Sequence, residues 1–323
     1  MKVDINGVGE DLSGFDLDDE QLSARRLAEY SPQALKAGLH VDRLFINHPD
    51  FATALTALDR VFQLAKEVEV PHGMMLIGPS GAGKTSVLNY FRRSLPSSSL
   101  FSEGLGAVYL RVPMRSNTSY LISGLLRLYG YPFLRVTRDC QEARTAVLFD
   151  AMRQKGTRMV MLDEAHHLVP SLGEKRRTRE EGTAATDLVR QMIDDARVAV
   201  VLAGPGALDV LGEADEALAS RVVGVHRLER FKYDATWVGL VRAFIKQVPE
   251  FDLSVLMVPE INQQLFNVTE GNLRSLKRLV TELVLVAAEC NQRVAEAGLL
   301  AKAYAAIYGA GRQTLNPFVV ANA

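Results

Sequence analysis

The segment GPSGAGKT, at residues 78–85, constrains the fold of this chain more than any other part of the sequence. It stands between a short apolar run, MMLI, and a helical pattern, SVLNYFRRSL. Its glycines allow the backbone to turn so that successive N–H groups point inward, and the following helix adds the positive end of its dipole. A strand, a glycine-rich loop and a helix in this order are typical of a phosphate-binding loop, or P-loop.

The side chains of the P-loop indicate its chemistry. Lys84 is expected to neutralise the β and γ phosphates of ATP, and the Thr85 hydroxyl is expected to ligate Mg²⁺. We therefore predict nucleotide contacts along the whole loop and the start of its helix, at Gly78, Pro79, Ser80, Gly81, Ala82, Gly83, Lys84, Thr85 and Ser86.

The segment RMVMLDEAHHLVP, at residues 158–170, supplies the carboxylates that such a site needs. A hydrophobic strand brings Asp163 to its end as a magnesium carboxylate, and Glu164 beside it is placed to polarise the attacking water. The letters DEAH also occur in helicases, but those enzymes need two tandem sheet domains and this chain shows one. His166 and His167 are adjacent, so they do not face one metal ion as an i, i+4 helical pair does. We interpret them as loop-capping residues, with nucleotide sensing as the alternative.

Strand and helix patterns alternate through the first two thirds of the chain. Short apolar runs that are typical of buried strands recur between longer amphipathic stretches, namely GMMLIG, GAVYLRVPM, RMVML, RVAVVLAG and RVVGVHRL. This alternation predicts an α/β fold in which helices cover both faces of a parallel sheet. Beyond Leu228 only helical patterns remain, which predicts a separate helical domain.

The net charge is close to zero, but the charges are unevenly distributed. The 323 residues carry a formal charge of −1 and are 48% hydrophobic, as is ordinary for a globular protein. Residues 1–20 contain seven acidic residues and one lysine, a net −6, so the rest carries +5. This predicts an acidic interaction tail and a body compatible with nucleic acid. Cys140 and Cys290 form no C-x-x-C motif, and no signal peptide or membrane-spanning run is evident, so we expect a cytoplasmic protein without a disulfide framework or membrane partner.

Two arginines are candidates for catalytic cations. EALASRVVGV places Arg221 just before the last predicted strand, where it can project toward the nucleotide of a neighbouring subunit and stabilise charge on the transferred phosphoryl group. A surface salt bridge is the alternative for this residue. In EGNLRSLKRLV, a helix is predicted to start at Gly271 and Asn272, with Arg274 in its first turn. A cation is unfavourable near a helix N-terminus, so this placement indicates an anionic ligand, the γ-phosphate.

These segments together resemble a known family. The P-loop, LDE, an S-R pair before the last strand and a GNLR helix start are the parts of an AAA+ ATPase. Within that superfamily, five segments over roughly residues 38 to 285 are similar to TniB and TnsC, the ATP-dependent regulators of transposition: HVDRLFINHPDFATALTALDRV, LIGPSGAGKTSVLNYF, LDEAHHL, LASRV and LERF.

The resemblance implies an AAA+ αβα sandwich with a five-stranded parallel sheet, followed by a helical lid. It also implies ATP-driven assembly into a homo-oligomer, a ring or a helical filament, on double-stranded DNA, with recruitment of a transposase and a target-selection protein. The corresponding parts of the chain are an acidic extension, an ATPase core, a lid domain and a C-terminal tail, at residues 1–37, 38–228, 229–308 and 309–323.

The family pattern also assigns roles to single residues. Lys84 and Thr85 bind phosphate and magnesium, Asp163 binds magnesium and Glu164 activates water. Arg221 is the arginine finger that acts in trans on the nucleotide of a neighbouring subunit, and Arg274 is the lid residue that senses the γ-phosphate.

Two departures from the family pattern concern hydrolysis. Relatives commonly carry a polar residue at the end of the fourth strand to orient the water, whereas this chain has Ala203, Gly204, Pro205 and Gly206 there. Val222 also replaces the aromatic residue that often follows the S-R pair. We therefore predict ATP binding with slow hydrolysis.

Two basic segments, VPMRSNTSY and GEKRRTRE, are candidate DNA contacts. Neither carries the interleaved aromatic residues that stack on bases, so contact with the phosphate backbone without sequence reading is the expected mode. For the second segment, a solvated charged loop is the alternative. The predicted contacts are Arg111, Arg115, Asn117, Thr118, Lys175, Arg176, Arg177 and Arg179.

Two other functions fit part of the sequence. A nucleotide-switched AAA+ adaptor would act on protein partners without DNA, although the basic segments favour a DNA-binding protein. A soluble P-loop kinase would phosphorylate a small acceptor, and it would need neither the helical domain nor Arg221.

Overall fold

The computed structural model describes most of the chain, at residues 30–95, 105–114, 116–131, 140–168, 176–211, 215–309 and 316–319, with the backbone alone at 176–184. Within these ranges no helix is both long enough and apolar enough to cross a membrane. The predicted acidic tail lies outside the described residues.

Five short strands form one parallel sheet in the order β2-β3-β4-β1-β5. β3 and β4 are buried along their whole length, because both lie in the middle of the sheet and carry only apolar side chains before their ends. The predicted five-stranded parallel sheet is therefore confirmed. The strands are β1 (Met74–Ile77), β2 (Ala107–Arg111), β3 (Met159–Asp163), β4 (Ala199–Gly204) and β5 (Gly224–Arg227).

Helices pack on both faces of the sheet, as predicted. Met159 and Met161 of β3 join a hydrophobic cluster on one face, whereas Val160 and Leu162 join a cluster on the other, since successive strand residues point to opposite sides. The helices before and between the strands are α1 (Pro32–Arg43), α2 (Pro49–Glu67), α3 (Lys84–Ser94), α4 (Thr118–Leu128), α5 (Gln141–Gln154), α6 (Arg176–Asp194) and α7 (Glu216–Ala219). Short 3₁₀ turns, Ala165–Leu168 and Gly206–Val210, follow β3 and β4.

The chain after β5 is helical and has its own hydrophobic core, which is built around the fully buried Trp237 and Phe244. Its elements are α8 (Ala235–Gln247), a 3₁₀ turn (Ser254–Met257), α9 (Pro259–Thr269), α10 (Leu273–Glu289) and α11 (Ala297–Tyr308). We call this part the lid.

Both ends of the described chain pack on the lid. α1 lies along α10 and contributes Val41 to the lid core, although α1 comes before the sheet in sequence. Phe318 is buried against Tyr304 of α11, with ring centroids 5.8 Å apart, so this part of the predicted C-terminal tail packs on the lid. The proposed boundary between residues 37 and 38 falls inside α1.

Candidate nucleotide site

The P-loop connects β1 to α3, and two of its glycines adopt backbone angles that other residues rarely take. Gly81 has φ +80°, and Gly83, the residue before α3, has φ +99°. A Cβ atom at position 81 would lie 2.2 Å from the Asn272 side chain, so this position has no room for a larger residue. The glycines thus permit both the turn and the close approach of the lid.

Lys84 lies inside the loop and is only 8% exposed. Its Nζ atom donates hydrogen bonds to the carbonyl oxygens of Gly78 and Pro79, at 2.6 and 2.9 Å. Burial lowers the pKa of this ammonium, and the nearby carboxylates of Glu164 and Asp163 act in the opposite direction. The arrangement holds a cation where the loop would wrap phosphate groups.

Asp163, at the end of β3, is almost fully buried and meets three donors. Its Oδ2 atom accepts from the Thr85 hydroxyl at 2.6 Å and from the Tyr109 hydroxyl at 2.9 Å, while Oδ1 accepts from the backbone N–H of Glu164 at 2.9 Å. Burial, followed by the charge of Asp163, raises the pKa of Tyr109. Oxygen atoms of a hydroxyl and a carboxylate are the donors that Mg²⁺ prefers, so Thr85 and Asp163 fit this ion.

Tyr109 was not among the residues that the sequence predicted for the site. The sequence feature that could have pointed to Tyr109 is its position two residues before Arg111, which places both residues on the same face of β2. Arg111 pairs with Asp163 in the β2–β3 register, and this adjacency of the two strands became known only from the sheet order.

Glu164 follows β3 with φ +55°, a conformation that is strained for any residue other than glycine by about 1 kcal/mol. Its carboxylate lies between two nitrogen atoms. Arg111 Nη2 is 3.7 Å from Oε1, and His166 Nδ1 is 3.5 Å from Oε2. The strained backbone therefore directs the expected water-activating carboxylate into a gap between a cation and an imidazole.

The two histidines differ in their surroundings. His166 lines the same cavity as Lys84, and burial, followed by the charge of His167, lowers its pKa. The His167 ring packs against it, with centroids 3.9 Å apart, but does not line that cavity. Among the described residues, no group of three or more His, Cys, Asp or Glu side chains is arranged to hold a metal ion.

The lid closes over the P-loop through the first turn of α10. Asn272 caps this helix by accepting from the N–H groups of Arg274 and Ser275, at 3.0 and 3.2 Å. Its Nδ2 atom donates across to the Ser80 carbonyl at 2.8 Å. Arg274 also reaches the loop, since its N–H donates to the Gly81 carbonyl and Nη1 donates to the Ser80 hydroxyl, both at 3.3 Å. The predicted lid arginine thus lies beside the P-loop.

A cavity of about 400 Å³ extends from the P-loop toward the segment between α1 and α2. Its wall includes the apolar residues Leu44, Phe45, Ile46 and Phe51, and the half-buried Lys277 of α10. Lys277 Nζ donates to the Leu44 carbonyl at 3.1 Å, and burial lowers the pKa of this ammonium. The polar P-loop suits the triphosphate of a nucleotide, and the apolar wall suits its base.

Arg221 lies near the amino end of β1, whereas the P-loop follows the carboxyl end of the same strand. Its carbonyl accepts from the N–H of Gly73, just before β1, whereas the P-loop follows β1. The four residues of β1 span about 13 Å, so this side chain is roughly one strand length from the phosphates of its own subunit. Its Nε atom donates to both carboxylate oxygens of Asp194, at 2.8 and 3.0 Å, and Nη1 donates to the Ala217 carbonyl at 2.7 Å.

The two departures noted in the sequence lie at the end of β4 and shortly after α7. Ala203 and Gly204 are buried, and a Cβ atom on Gly204 would lie 2.9 Å from Leu208 Cδ1 and 3.5 Å from the backbone nitrogen of His166. Pro205 lines the nucleotide cavity without offering a hydrogen-bond donor. Val222 is buried in the core of the sheet domain.

The predicted DNA contacts in the VPMRSNTSY segment differ in exposure. The side chain of Arg111 is 72% exposed. Asn117 accepts from the N–H of Tyr120 at 2.9 Å and caps α4, and Thr118 is only 6% exposed, so burial does not fit a DNA contact by Thr118.

In the second segment, the backbone from Arg176 onward forms the start of α6 and is not a loop. Arg177 and Arg179 therefore lie on a helix, and the structure describes their backbone alone. Arg115 and Lys175 lie outside the described residues.

A P-loop capped by the first turn of a lid helix, on a sheet of this strand order, assigns the chain to the AAA+ fold of P-loop NTPases. The family model described as "Bacterial TniB protein" matches residues 37–233, so the chain belongs to the TniB family. A comparison with curated proteins gave no match.

Solved structures support the same fold. The Aeropyrum pernix ORC1 protein, solved in complex with DNA, is 16% identical with a TM-score of 0.59, over 83% of this chain and 67% of that one. Cdc6p from Pyrobaculum aerophilum is 17% identical with a TM-score of 0.59, over 86% and 73%. Drosophila ORC bound to DNA is 13% identical with a TM-score of 0.53, over 89% and 70%. At these identities the likeness shows the AAA+ fold alone.

Proposed function

We propose that this protein is an ATP-dependent, DNA-binding regulator of transposition that oligomerises on double-stranded DNA in the cytoplasm. Membership of the TniB family supports this role, because the matched region, residues 37–233, contains the P-loop and the carboxylates Asp163 and Glu164. Lys84 and Arg274 would bind the phosphates of ATP, while Thr85 and Asp163 would hold Mg²⁺, which supplies charge neutralisation when it is bound. Glu164 would accept a proton from the attacking water.

The position of Arg221 is the observation that best supports an oligomer. This arginine is one strand length from the nucleotide of its own subunit, yet Asp194 and the Ala217 carbonyl hold its guanidinium in a fixed orientation. An arginine in this position can complete a site only in a neighbouring copy, through a head-to-tail contact that generates a ring or a helical filament. A surface salt bridge with Asp194 alone is the competing explanation, and the mixing experiment below separates the two.

Arg111 supports both DNA binding and slow hydrolysis. It is exposed at the end of β2 and lies 3.7 Å from Glu164. While this pair is formed, the carboxylate is drawn away from a water molecule. A DNA phosphate that bound Arg111 would compete for the guanidinium and free Glu164, so DNA would accelerate hydrolysis. The Arg115 and Arg177 positions would add contacts to the phosphate backbone without reading sequence.

The final step of the proposed function is partner recruitment. By membership of the TniB family, the nucleotide-bound oligomer would recruit a transposase and a target-selection protein. The acidic segment at residues 1–20 is a candidate contact for such partners, because its net −6 charge suits a basic surface.

Three experiments test the proposal. Negatively stained images are expected to show rings or filaments only when ATP and double-stranded DNA are both present. Assembly that needs ATP but not DNA would favour the adaptor function instead. In salt titrations, Arg115→Ala and Arg177→Ala should each lower the slope of log affinity against log salt by about 1.

The third experiment mixes two inactive variants. Arg221→Ala lacks the finger and Glu164→Gln lacks the water-activating carboxylate. Random assembly of equal amounts pairs an intact carboxylate with an intact finger at about one quarter of the interfaces, so about one quarter of the wild-type rate should return. Arg153→Ala, which alters an exposed arginine paired with Asp150, should keep the wild-type rate. Absence of recovery, or a fully active Arg221→Ala protein, would contradict a shared site.

A further inference from the structure

The end of β4 leaves the nucleotide site without a polar side chain in a place where water must be oriented. Position 204 is tight for a side chain, because a Cβ atom there would lie 2.9 Å from Leu208 Cδ1. Position 205 is a proline at the cavity wall. The backbone nitrogen of His166 lies 3.5 Å from where a Cβ atom of residue 204 would be, so the turn that carries His166 borders this space.

His166 brings a polar group to the same region. Its Nδ1 atom is buried and has no hydrogen-bond partner among the described residues, although it lies 3.5 Å from Glu164 Oε2. A buried polar nitrogen without a partner is unfavourable, so a small rotation of the carboxylate toward it would be stabilising. The strained backbone of Glu164 keeps its side chain beside this ring.

We propose that His166 is the positioning residue for Glu164, and that it takes over the orienting role of the polar side chain that is absent from the end of β4. In this arrangement Nδ1–H donates to Oε2 and fixes the carboxylate, so that Oε1 is left to accept the proton of the attacking water. The inference rests on the proposed hydrolysis of ATP and concerns the step after ATP binding.

Arg111 and His166 then have opposite effects on the same carboxylate. Arg111 Nη2 is near Oε1, the oxygen that would face the water, whereas His166 Nδ1 is near Oε2. Release of Arg111 would expose Oε1, while His166 would keep the carboxylate in place. A merely structural histidine would have no such dependence on one ring nitrogen, and this difference can be measured.

The test compares four variants in the full chain with DNA present. His166→Ala removes the donor, and His166→Asn restores a nitrogen near the position of Nδ1. His166→Gln places its nitrogen near the position of Nε2 instead. His167→Ala is the matched control, since it removes the neighbouring ring outside the cavity. The measurements are kcat and KM for ATP, the Kd of a fluorescent ATP analogue, and the melting temperature.

We expect His166→Ala to lower kcat by about 10- to 100-fold with KM and Kd within about twofold of wild type. His166→Asn should recover most of the rate, His166→Gln should not, and His167→Ala should stay within about twofold. If His166→Ala does not fold, the comparison of the asparagine and glutamine variants decides the question by itself.

Two results would overturn the inference. A His166→Ala protein with a wild-type kcat, or asparagine and glutamine variants with equal rates, would show that Nδ1 does not position Glu164. A wild-type protein that hydrolyses ATP no faster than Glu164→Gln would overturn the proposed function itself, and the inference with it.

Discussion

Replacing Asn272 with alanine is expected to weaken both the lid and its contact with the P-loop. The substitution removes two N-cap hydrogen bonds from α10, which cost about 1 kcal/mol in stability. It also removes the donor to the Ser80 carbonyl, and because that bond is exposed, its loss costs about 0.5 kcal/mol, at the low end of the usual range. The total loss is about 1.5 kcal/mol, which lowers the melting temperature of this 323-residue chain by roughly 2 °C.

Of the hydrogen bonds that Asn272 makes, only the one to the Ser80 carbonyl joins the lid to the nucleotide site. A matched variant isolates the effect of this bond. Asp234 caps α8 in the same lid by accepting from two N–H groups, at 2.8 and 3.2 Å, and it makes no contact with the P-loop. Asp234→Ala should therefore lose about 1 kcal/mol in stability with unchanged ATP affinity. Asn272→Ala should raise the Kd of a fluorescent ATP analogue by about two- to threefold, the equivalent of the lost bond to Ser80.

The assay combines thermal melts, followed by circular dichroism, with titrations of the ATP analogue. A third variant, Asn272→Asp, keeps the acceptor for the cap but lacks the Nδ2 donor, so it should melt near the wild-type temperature and still bind ATP more weakly. Equal ATP affinities for Asn272→Ala and Asp234→Ala would refute the reasoning, because the affinity would then depend on lid stability and not on the bond to Ser80.

Three further predictions concern the P-loop, a buried histidine and the proposed magnesium ligands. Gly81→Ala should destabilise the protein by about 1 kcal/mol or more in thermal melts, since φ is +80° and a Cβ atom would collide with the Asn272 side chain. Burial lowers the pKa of His48 in the folded protein, so the unfolded chain binds more protons, and denaturant midpoints should fall as pH drops below about 6.5. His48→Asn, which keeps an acceptor for the cap of α2, should reduce this pH dependence. Thr85→Ala and Asp163→Asn should raise the Mg²⁺ concentration needed for half-maximal ATP hydrolysis by about tenfold or more, and an unchanged requirement would contradict the assigned ligands.

Local sequence was sufficient to locate the P-loop and the Asp163 and Glu164 pair. Both consist of neighbouring residues in a strand-to-loop context, and their chemistry depends on residue types at short spacing. The strands themselves were also predictable, because buried parallel strands are short and continuously apolar. Thr118 is the opposite case. Its polar character suggested an exposed DNA contact, but its position at the start of α4 buries it against the sheet domain.

Other parts of the site depend on contacts between residues that are far apart in the chain. Asn272 and Ser80 are separated by 192 positions, and Tyr109 meets Asp163 only because β2 lies next to β3. No local pattern records which strands are neighbours or where a lid helix begins relative to a loop.

The sequence by itself determined that this chain has a P-loop, a pair of carboxylates after a buried strand and a helical C-terminal part, since each is a property of adjacent residues. Only the tertiary structure decided how these parts act on one another. It placed Glu164 between Arg111 and His166, brought the cap of α10 onto the P-loop, and put Arg221 at the opposite end of β1 from its own nucleotide site. The physical reason is that strand order and domain packing are fixed by the burial of the whole core, to which every element contributes.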